Sequence, residues 1–393
     1  MWAIKRIFTF FDIFTLITKI IYLAILLFLF LNFDIFNLKY KSPHIEKILE
    51  ENNYKNFDIL KSKTIDPIIE NITREISIIK HIFNKKYKKI NRRKNKIHIT
   101  VSLNDNKDYK YILYVSMFSL LSNCNKDKSF IIYHILCSPD FNENSTTIFK
   151  SLFKNFSHNV EMIFYNMGNS FNNRRYVRFS QATFFRILTP LFIDSDRIIH
   201  LDGDTLIFSD LNEMYNLDFN DNYILGLYDF FSFGIDYLGL KSKIYINAGV
   251  TLFNLKKLRE DNKVFELLNL TNSDIKLVND DQSALNYVLH PKIGRLPSKY
   301  AMFNFEDKSD LNIYLEKIRT KIPIEELEES FNNTAIIHIV LCFPKPWFQN
   351  SIYTKDNTNC LKRRNCSCEK YHKLWHSIAN KTEYYNEIKN FTG

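Results

Sequence analysis

Two kinds of apolar spacing alternate along the middle of the chain. Residues 97–103, 130–137 and 160–165 have the spacing and composition of strands, while residues 109–122 and 143–156 have those of helices. Strands that alternate with helices form right-handed βαβ units and a mostly parallel sheet. The pattern therefore predicts an α/β domain.

Three later strands are predicted to finish beside polar residues. Residues 198–201 run into Asp202, residues 223–228 run into Asp229, and a further strand is expected to end near Asn247. Residues 180–189 are predicted to form a helix that stops at Pro190. Ligands of open α/β sheets bind outside the carboxyl ends of the strands, so these polar side chains are candidates for a binding site.

The segment Asp202-Gly203-Asp204 is the most informative of these strand ends. Its two carboxylates are two residues apart at a turn, where both can reach one hard divalent cation. An isolated Asp-x-Asp motif is only weak evidence for a metal site, because most such pairs are solvated turn residues. Here apolar residues flank both sides, and uncompensated carboxylates in a buried setting are costly. The segment therefore predicts a metal site.

The first 95 residues differ in composition from the rest of the chain. Residues 7–33 are almost entirely apolar, which gives the ~20 residues that a bilayer requires, and Lys5 and Arg6 precede them. We expect an uncleaved signal anchor with a cytosolic tail over residues 1–6, since no small-residue cleavage site follows. A buried N-terminal core helix is the alternative. Residues 34–95 are expected to form a polar stem, with helical spacing over residues 65–83.

Cysteines and glycosylation acceptors agree with an oxidising compartment. Cys360, Cys366 and Cys368 are expected to form a disulfide-tied tail. Zinc bound with His372 and His376 is the alternative, ranked lower because the Cys-x-Cys spacing is tighter than in usual structural zinc sites. Asn-x-Ser/Thr acceptors, several of which chance would supply in a chain this rich in Asn, occur at Asn71, Asn144, Asn155, Asn269, Asn332, Asn365, Asn380 and Asn390.

The formal net charge of +10 does not predict a nucleic-acid partner. The basic residues are dispersed, and the densest run, residues 85–96, lies between the anchor and the first predicted strand. A compositional bias toward Lys and Asn explains the charge equally well.

Four further segments accompany the acidic pair. Arg186 places a cation shortly before it, and Asn247-Ala248-Gly249 combines a polar side chain with small residues that let backbone approach a ligand. Asp281-Gln282 opens a predicted helix, whose N-terminal amides favour anionic or polar ligand groups. His338 ends a predicted strand and is followed by Lys345-Pro346-Trp347.

In this order, the motifs resemble those of the family-8 retaining glycosyltransferases of the GT-A type. The resemblance implies a GT-A Rossmann-like, mostly parallel sheet flanked by helices over residues 96–350, with residues 351–393 as a C-terminal tail. It implies transfer of a hexose from a UDP-sugar to a glycan, lipid or protein acceptor, with Mn²⁺ (or Mg²⁺) as the cofactor. With the anchor, it implies a type II membrane protein of the Golgi or endoplasmic reticulum whose catalytic domain is lumenal.

The same resemblance assigns roles to single residues. Asp202, Asp204 and His338 would be the metal ligands, and Lys345 would contact the β-phosphate. Gln282 would be nearest in role to a nucleophile or an oxocarbenium stabiliser. The donor nucleotide would lie against Leu103, Asn104, Asp105, Gly203 and Ala248, and the transferred sugar against Arg186, Asp229, Asn247, Asp281 and Gln282.

One loop departs from the family pattern. Family members usually have a glycine three residues after the histidine, where this chain has Leu341, and one extra residue precedes Lys345. Two hypotheses therefore stand: an active enzyme, and a catalytically weak binding subunit or scaffold. A self-glycosylating, glycogenin-like enzyme is less favoured, because that relative lacks a membrane anchor.

Overall fold

The computed structural model describes residues 67–83, 94–104, 108–171, 180–230, 244–273, 277–318, 322–342, 345–348 and 369–389. The predicted anchor, most of the predicted stem and the cysteines at 360–368 lie outside these residues. Within the described part of the chain, no helix is both long enough and apolar enough to cross a membrane.

The first part of the fold alternates strands and helices, with a 3₁₀ helix (Asn144–Phe149) leading into the third helix. Its elements are α1 (Pro67–Glu75), β1 (Ser77–Ile82), β2 (Asn95–Leu103), α2 (Tyr109–Asn123), β3 (Ser129–Cys137), α3 (Lys150–Phe156) and β4 (Val160–Asn166).

The second part has shorter elements and two more 3₁₀ helices (Gln181–Leu188 and Ser298–Tyr300). Its elements are α4 (Thr189–Phe192), β5 (Ile198–Leu201), β6 (Thr205–Ile207), α5 (Asn212–Tyr215), β7 (Ile224–Tyr228), β8 (Ile246–Phe253), α6 (Leu255–Glu260), α7 (Lys263–Asn272), α8 (Asp280–Leu289), β9 (Ile293–Arg295), β10 (Met302–Phe303), α9 (Lys308–Lys317), α10 (Ile324–Asn332), β11 (Ile336–His338), α11 (Glu369–Ala379) and α12 (Tyr385–Ile388).

An eight-stranded sheet organises the domain, in the order β1-β4-β3-β2-β5-β8-β7-β9. Strands β4, β3, β2 and β5 run parallel to one another, and β8 is antiparallel to both of its neighbours. Every residue of β3 is buried, as expected of a central strand covered on both faces. A small second sheet has the order β10-β11-β6. The predicted α/β class with a mostly parallel sheet is confirmed.

Three local predictions were wrong. Helical spacing was predicted over residues 65–83, but helix α1 ends at Glu75. The isoleucines that follow belong to β1, which pairs with β4 as an antiparallel edge strand. Pro190 does not stop a helix but lies in the first turn of α4, where its missing N–H costs nothing. Asn247 lies at the start of β8 rather than at a strand end. Because β8 is antiparallel to β5, its amino end still meets the carboxyl end of β5.

Helix α11 packs onto the segment that follows β11. Trp375, which is 1% exposed, and Tyr371 share a core with Ile339, Cys342 and Trp347. Cys342 is disulfide-bonded, whereas Cys124 and Cys137 are free. The helix therefore supports the loop that carries Lys345.

Candidate metal and donor site

The acidic turn between β5 and β6 is held by backbone contacts on both sides. The Asp202 N–H donates to the Gly249 carbonyl at 2.7 Å, and the Gly203 N–H donates to the Tyr109 hydroxyl at 3.1 Å. A Cβ atom on Gly203 would lie 2.8 Å from that hydroxyl, so the glycine is needed for the close approach of Tyr109. The turn thus places Asp202 and Asp204 at the same edge of the sheet.

Asp202, Asp204 and His338 converge on one point. Strand β11 pairs with β6 so that His338 lies opposite Thr205, directly after the acidic turn. His338 Nε2 is 3.2 Å from Asp204 Oδ1 and 3.9 Å from Asp202 Oδ2, and one ligand atom from each of the three residues falls within 4.8 Å of the others. Two carboxylates and an imidazole are a donor set that suits Mn²⁺ or a similar divalent cation. The residues therefore fit the predicted metal.

Because Gly249 has no side chain, the space between Asp202, Asp204 and His338 stays open. A Cβ atom on Gly249 would lie 2.2 Å from His338 Cε1 and 2.7 Å from Asp202 Oδ2. The glycine of the Asn-Ala-Gly motif is therefore a steric requirement of the cluster.

Two cationic side chains balance the carboxylates. Arg186 Nη2 donates to Asp202 Oδ1 at 2.9 Å, and Lys345 Nζ donates to Asp204 Oδ2 at 2.9 Å. Burial is the largest single influence on both acids and opposes their ionisation, but Arg186, His200 and His338 together outweigh it at Asp202, and Lys345 and His338 together outweigh it at Asp204. The pKa of Asp202 therefore lies below its usual range, and that of Asp204 falls to about 2. Both acids are ionised at neutral pH.

A second group of polar side chains lies beside this cluster. Asp229 Oδ2 accepts hydrogen bonds from Asn247 Nδ2 at 2.8 Å and from Gln282 Nε2 at 3.1 Å. Gln282 Oε1 in turn accepts from the Ala248 N–H at 3.1 Å. Both ends of the Gln282 amide are thereby fixed, so three residues assigned to the sugar form one network.

Asp281, in the first turn of α8, is buried against Arg186. Arg186 Nε lies 3.0 Å from Asp281 Oδ2 but donates its hydrogen to the Thr183 carbonyl, so the two charges form an ion pair without a hydrogen bond. Burial raises the pKa of Asp281 to about 7, against the opposing influence of Arg186. Arg186 Nη1 also donates to the Ala248 carbonyl. Arg186 thus connects Asp202, one of the three proposed metal ligands, with Asp281 and Ala248 on the other side of the site.

The residues that we expect to lie against the donor nucleotide are at the end of β2. Leu103 is buried, and Asn104 Nδ2 donates to Ser180 Oγ at 3.4 Å. Asn104 Oδ1 is buried and accepts no hydrogen bond from the described residues. Asp105 lies outside them. Tyr109 follows, at the start of α2, and its hydroxyl reaches the acidic turn.

The loop after His338 is held by Asn304. The Leu341 N–H donates to Asn304 Oδ1 at 2.9 Å, and Asn304 Nδ2 lies 3.1 Å from Cys342 Sγ. The amide at the position of the family glycine is therefore engaged within the protein. Lys345 nevertheless reaches the site, where Nζ donates to the Ile339 carbonyl as well as to Asp204.

His200 and Asn304 were missed by sequence reasoning. His200 lies in β5, two residues before Asp202, and the two-residue period of a strand could have identified it as a side chain on the same side as Asp202. Asn304 follows β10, far from the motifs in sequence, and no signal in the chain pointed to it.

Comparison with known proteins identifies the class of this domain. Residues 98–351, more than half of the chain, match the model of glycosyl transferase family 8. The chain therefore belongs to this family and is a glycosyltransferase. No curated protein matches its sequence significantly.

Solved structures show the same fold. The bifunctional glycosyltransferase WbbM superposes with a TM-score of 0.59 at 18% identity, over 76% of this chain and 52% of that one. The galactosyltransferase LgtC, solved with donor and acceptor sugar analogues, superposes with a TM-score of 0.52 at 20% identity, over 74% of this chain and 100% of that one. This chain thus spans about half the length of WbbM. At these identities the likeness shows the GT-A-like fold alone.

Proposed function

We propose that this protein is a retaining hexosyltransferase that uses a UDP-sugar and a divalent cation held by Asp202, Asp204 and His338. The observation that carries the proposal is the meeting of these three side chains from two different sheets, in a space that Gly249 keeps open. Their side chains are 31%, 19% and 4% exposed, so the two carboxylates face the side from which a donor would enter.

Loss of a diphosphate leaving group builds negative charge, which the site is equipped to receive. A bound Mn²⁺ would supply Lewis-acid stabilisation of that charge. Lys345 adds a fixed cation held between Asp204 and the Ile339 carbonyl, and preorganised charges of this kind are usually the largest contribution to catalysis. Lys345 would therefore bind the β-phosphate and stabilise it as it departs.

The network of Asp229, Asn247 and Gln282 would bind the transferred hexose. A site built to hydrogen-bond sugar hydroxyls discriminates strongly, because a mismatched sugar leaves buried polar groups unpaired. LgtC is a galactosyltransferase. UDP-galactose is accordingly the first donor to test, followed by UDP-glucose, with the acceptor class, whether glycan, lipid or protein, screened afterwards.

Donor turnover tests the proposal. We expect the full-length protein to release UDP from one UDP-hexose only when Mn²⁺ or Mg²⁺ is present. Asp202→Asn and Asp204→Asn keep the side-chain shape and remove charge, so each should lower turnover at least ~10²-fold while the protein stays folded. His338→Ala should weaken metal affinity and activity in parallel. Full activity in both amide variants would refute the proposed metal site.

A binding subunit is the second candidate, favoured by the Leu341 loop. The amide at the family glycine position donates to Asn304, so it is not available to a phosphate in this arrangement. If this candidate is correct, UDP binds in the presence of Mn²⁺ but no UDP-sugar is turned over. Measuring UDP binding beside UDP release separates the two candidates.

We also propose a type II topology with the body in the lumen of the Golgi or endoplasmic reticulum, anchored by residues 7–33. The basic pair Lys5-Arg6 supports it. So do the glycosylation acceptors, since those with described side chains are all exposed, at Asn144, Asn155, Asn269, Asn332 and Asn380. In microsomes, the body should resist protease and shift on gels after endoglycosidase treatment. A protease-sensitive body with no shift would overturn this topology.

A further inference from the structure

We propose that His200 is a positioning residue that sets which oxygen of Asp202 faces the cation. By donating to Oδ1, His200 would leave Oδ2 as the single oxygen with which Asp202 binds the metal. This inference rests on the proposed function, because it concerns the same cation site.

The two oxygens of Asp202 have different surroundings. His200 Nε2 lies 3.1 Å from Oδ1, and Arg186 Nη2 donates to the same atom at 2.9 Å. Oδ2, in contrast, lies 3.9 Å from His338 Nε2 and 2.7 Å from the position that a Gly249 Cβ would occupy. Oδ1 is therefore satisfied by the protein, and Oδ2 points to where the three ligands meet.

The strand environment fixes the His200 ring. His200 is fully buried in β5, and its register partners on either side are Thr100 of β2 and Thr251 of β8. Nδ1 makes no hydrogen bond with the described residues, so the contact with Asp202 is the polar interaction that orients the ring. A carboxylate only accepts hydrogen bonds, so Nε2 carries the hydrogen in this pair.

Two donors on one oxygen restrict the carboxylate more than one does. Arg186 is itself fixed by the carbonyls of Thr183 and Ala248 and by the charge of Asp281. With Arg186 alone, the Asp202 carboxylate can turn about a single hydrogen bond, and Oδ2 then leaves the ligand position. Groups that orient a metal ligand from behind typically change metal affinity ~10- to 100-fold when removed.

Matched substitutions separate positioning from packing. His200→Gln keeps an amide N–H close to the position of Nε2, whereas His200→Leu keeps bulk and removes the donor. His200→Asn is polar but too short to reach Oδ1. We expect the dissociation constant of Mn²⁺, measured by calorimetry on the full-length protein, to rise ~10- to 100-fold in the Leu and Asn variants. It should stay within about threefold of wild type in the Gln variant.

His134→Leu is the control for loss of a buried histidine. His134 lies in β3, which β2 separates from β5, and its hydrogen-bond partners are His98 and Tyr165. This variant should lose stability while its Mn²⁺ affinity stays that of wild type. If His200→Leu does not fold, the comparison of His200→Asn with His200→Gln decides the question.

The outcomes distinguish this inference from the function on which it rests. No Mn²⁺ binding by the wild-type protein, or full binding by Asp204→Asn, would refute the proposed function itself. Wild-type binding together with equal affinity in folded His200→Asn and His200→Gln would refute the positioning role alone. Weaker binding in the Asn variant with recovery in the Gln variant would establish it.

Discussion

Replacing Gly249 with alanine places one methyl group inside the proposed cation site. The added Cβ would lie 2.2 Å from His338 Cε1 and 2.7 Å from Asp202 Oδ2, closer than atoms of a folded protein approach. Strand β8 pairs with β5 on one side and β7 on the other, so its backbone has little freedom to yield. The His338 ring must therefore move.

The size of this movement follows from ordinary contact distances. Carbon atoms pack at ~3.5 Å, so a contact that starts at 2.2 Å requires the ring to withdraw by about 1.3 Å. Metal–ligand distances tolerate only ~0.2 Å. We expect His338 to be lost as a ligand and the dissociation constant of Mn²⁺ to rise at least ~10²-fold, at the upper end of what removal of a supporting group causes.

Gly294→Ala provides the matched control. Its Cβ would lie 2.4 Å from Leu225 Cδ2 and 2.8 Å from Asn222 Nδ2, on the edge strand β9 and away from the acidic turn. Overpacking should cost each variant ~1–3 kcal/mol in the free energy of unfolding. Calorimetric titration with Mn²⁺ should detect weaker binding only in Gly249→Ala. Equal Mn²⁺ affinity in the two variants would refute the assignment of this space to the cation.

Three other substitutions have outcomes that the structure specifies. Trp375→Ala empties a fully buried site in α11, and urea unfolding should show a loss of ~3–5 kcal/mol; a loss below ~1 kcal/mol would mean that the helix docks loosely. The folded-state pKa of Asp281 is raised to about 7. The native protein therefore binds this proton more tightly than the unfolded chain, and the contribution of Asp281 to stability falls as pH rises from about 4 to 7, by at most ~1.4 kcal/mol per pH unit, opposite in sign to that of the buried His98 and His200, whose pKa is lowered to about 4. Asp281→Asn should remove this contribution, so the urea midpoint of the variant should fall less, or rise more, from pH 5 to pH 7 than that of the wild-type protein, and an identical change in the two proteins would refute the assignment. Tyr109→Phe leaves the Gly203 N–H without its acceptor and should cost ~1–3 kcal/mol in urea unfolding, whereas an unchanged midpoint would show that another group accepts it.

The central strands and the acidic turn were predictable from local pattern. Buried strands such as β3 and β5 have continuous apolar runs, and the switch to two carboxylates at Asp202 is visible in the sequence alone. The pairing of the strands could not be predicted in this way. The direction of β8 and the position of β1 at the edge of the sheet depend on partner strands far along the chain. Asn247 was therefore expected at the wrong end of its strand, although at the correct edge of the sheet.

The clustering of the three proposed metal ligands was easier to predict than the contacts around them. The resemblance brought together Asp202, Asp204 and His338, which local patterns alone could not, since His338 belongs to a second sheet. The contacts of His200 and of Asn304 follow from strand register and loop packing, which a single sequence does not encode locally.

Direct measurement of bound metal tests the central claim most simply. The full-length wild-type protein, titrated with Mn²⁺ in the presence of UDP, is compared with a variant carrying both Asp202→Asn and Asp204→Asn. We expect one Mn²⁺ per chain in the wild-type protein and none in the variant, with similar thermal unfolding of the two. Equal Mn²⁺ binding by both proteins would contradict the assignment of the acidic turn as the metal site.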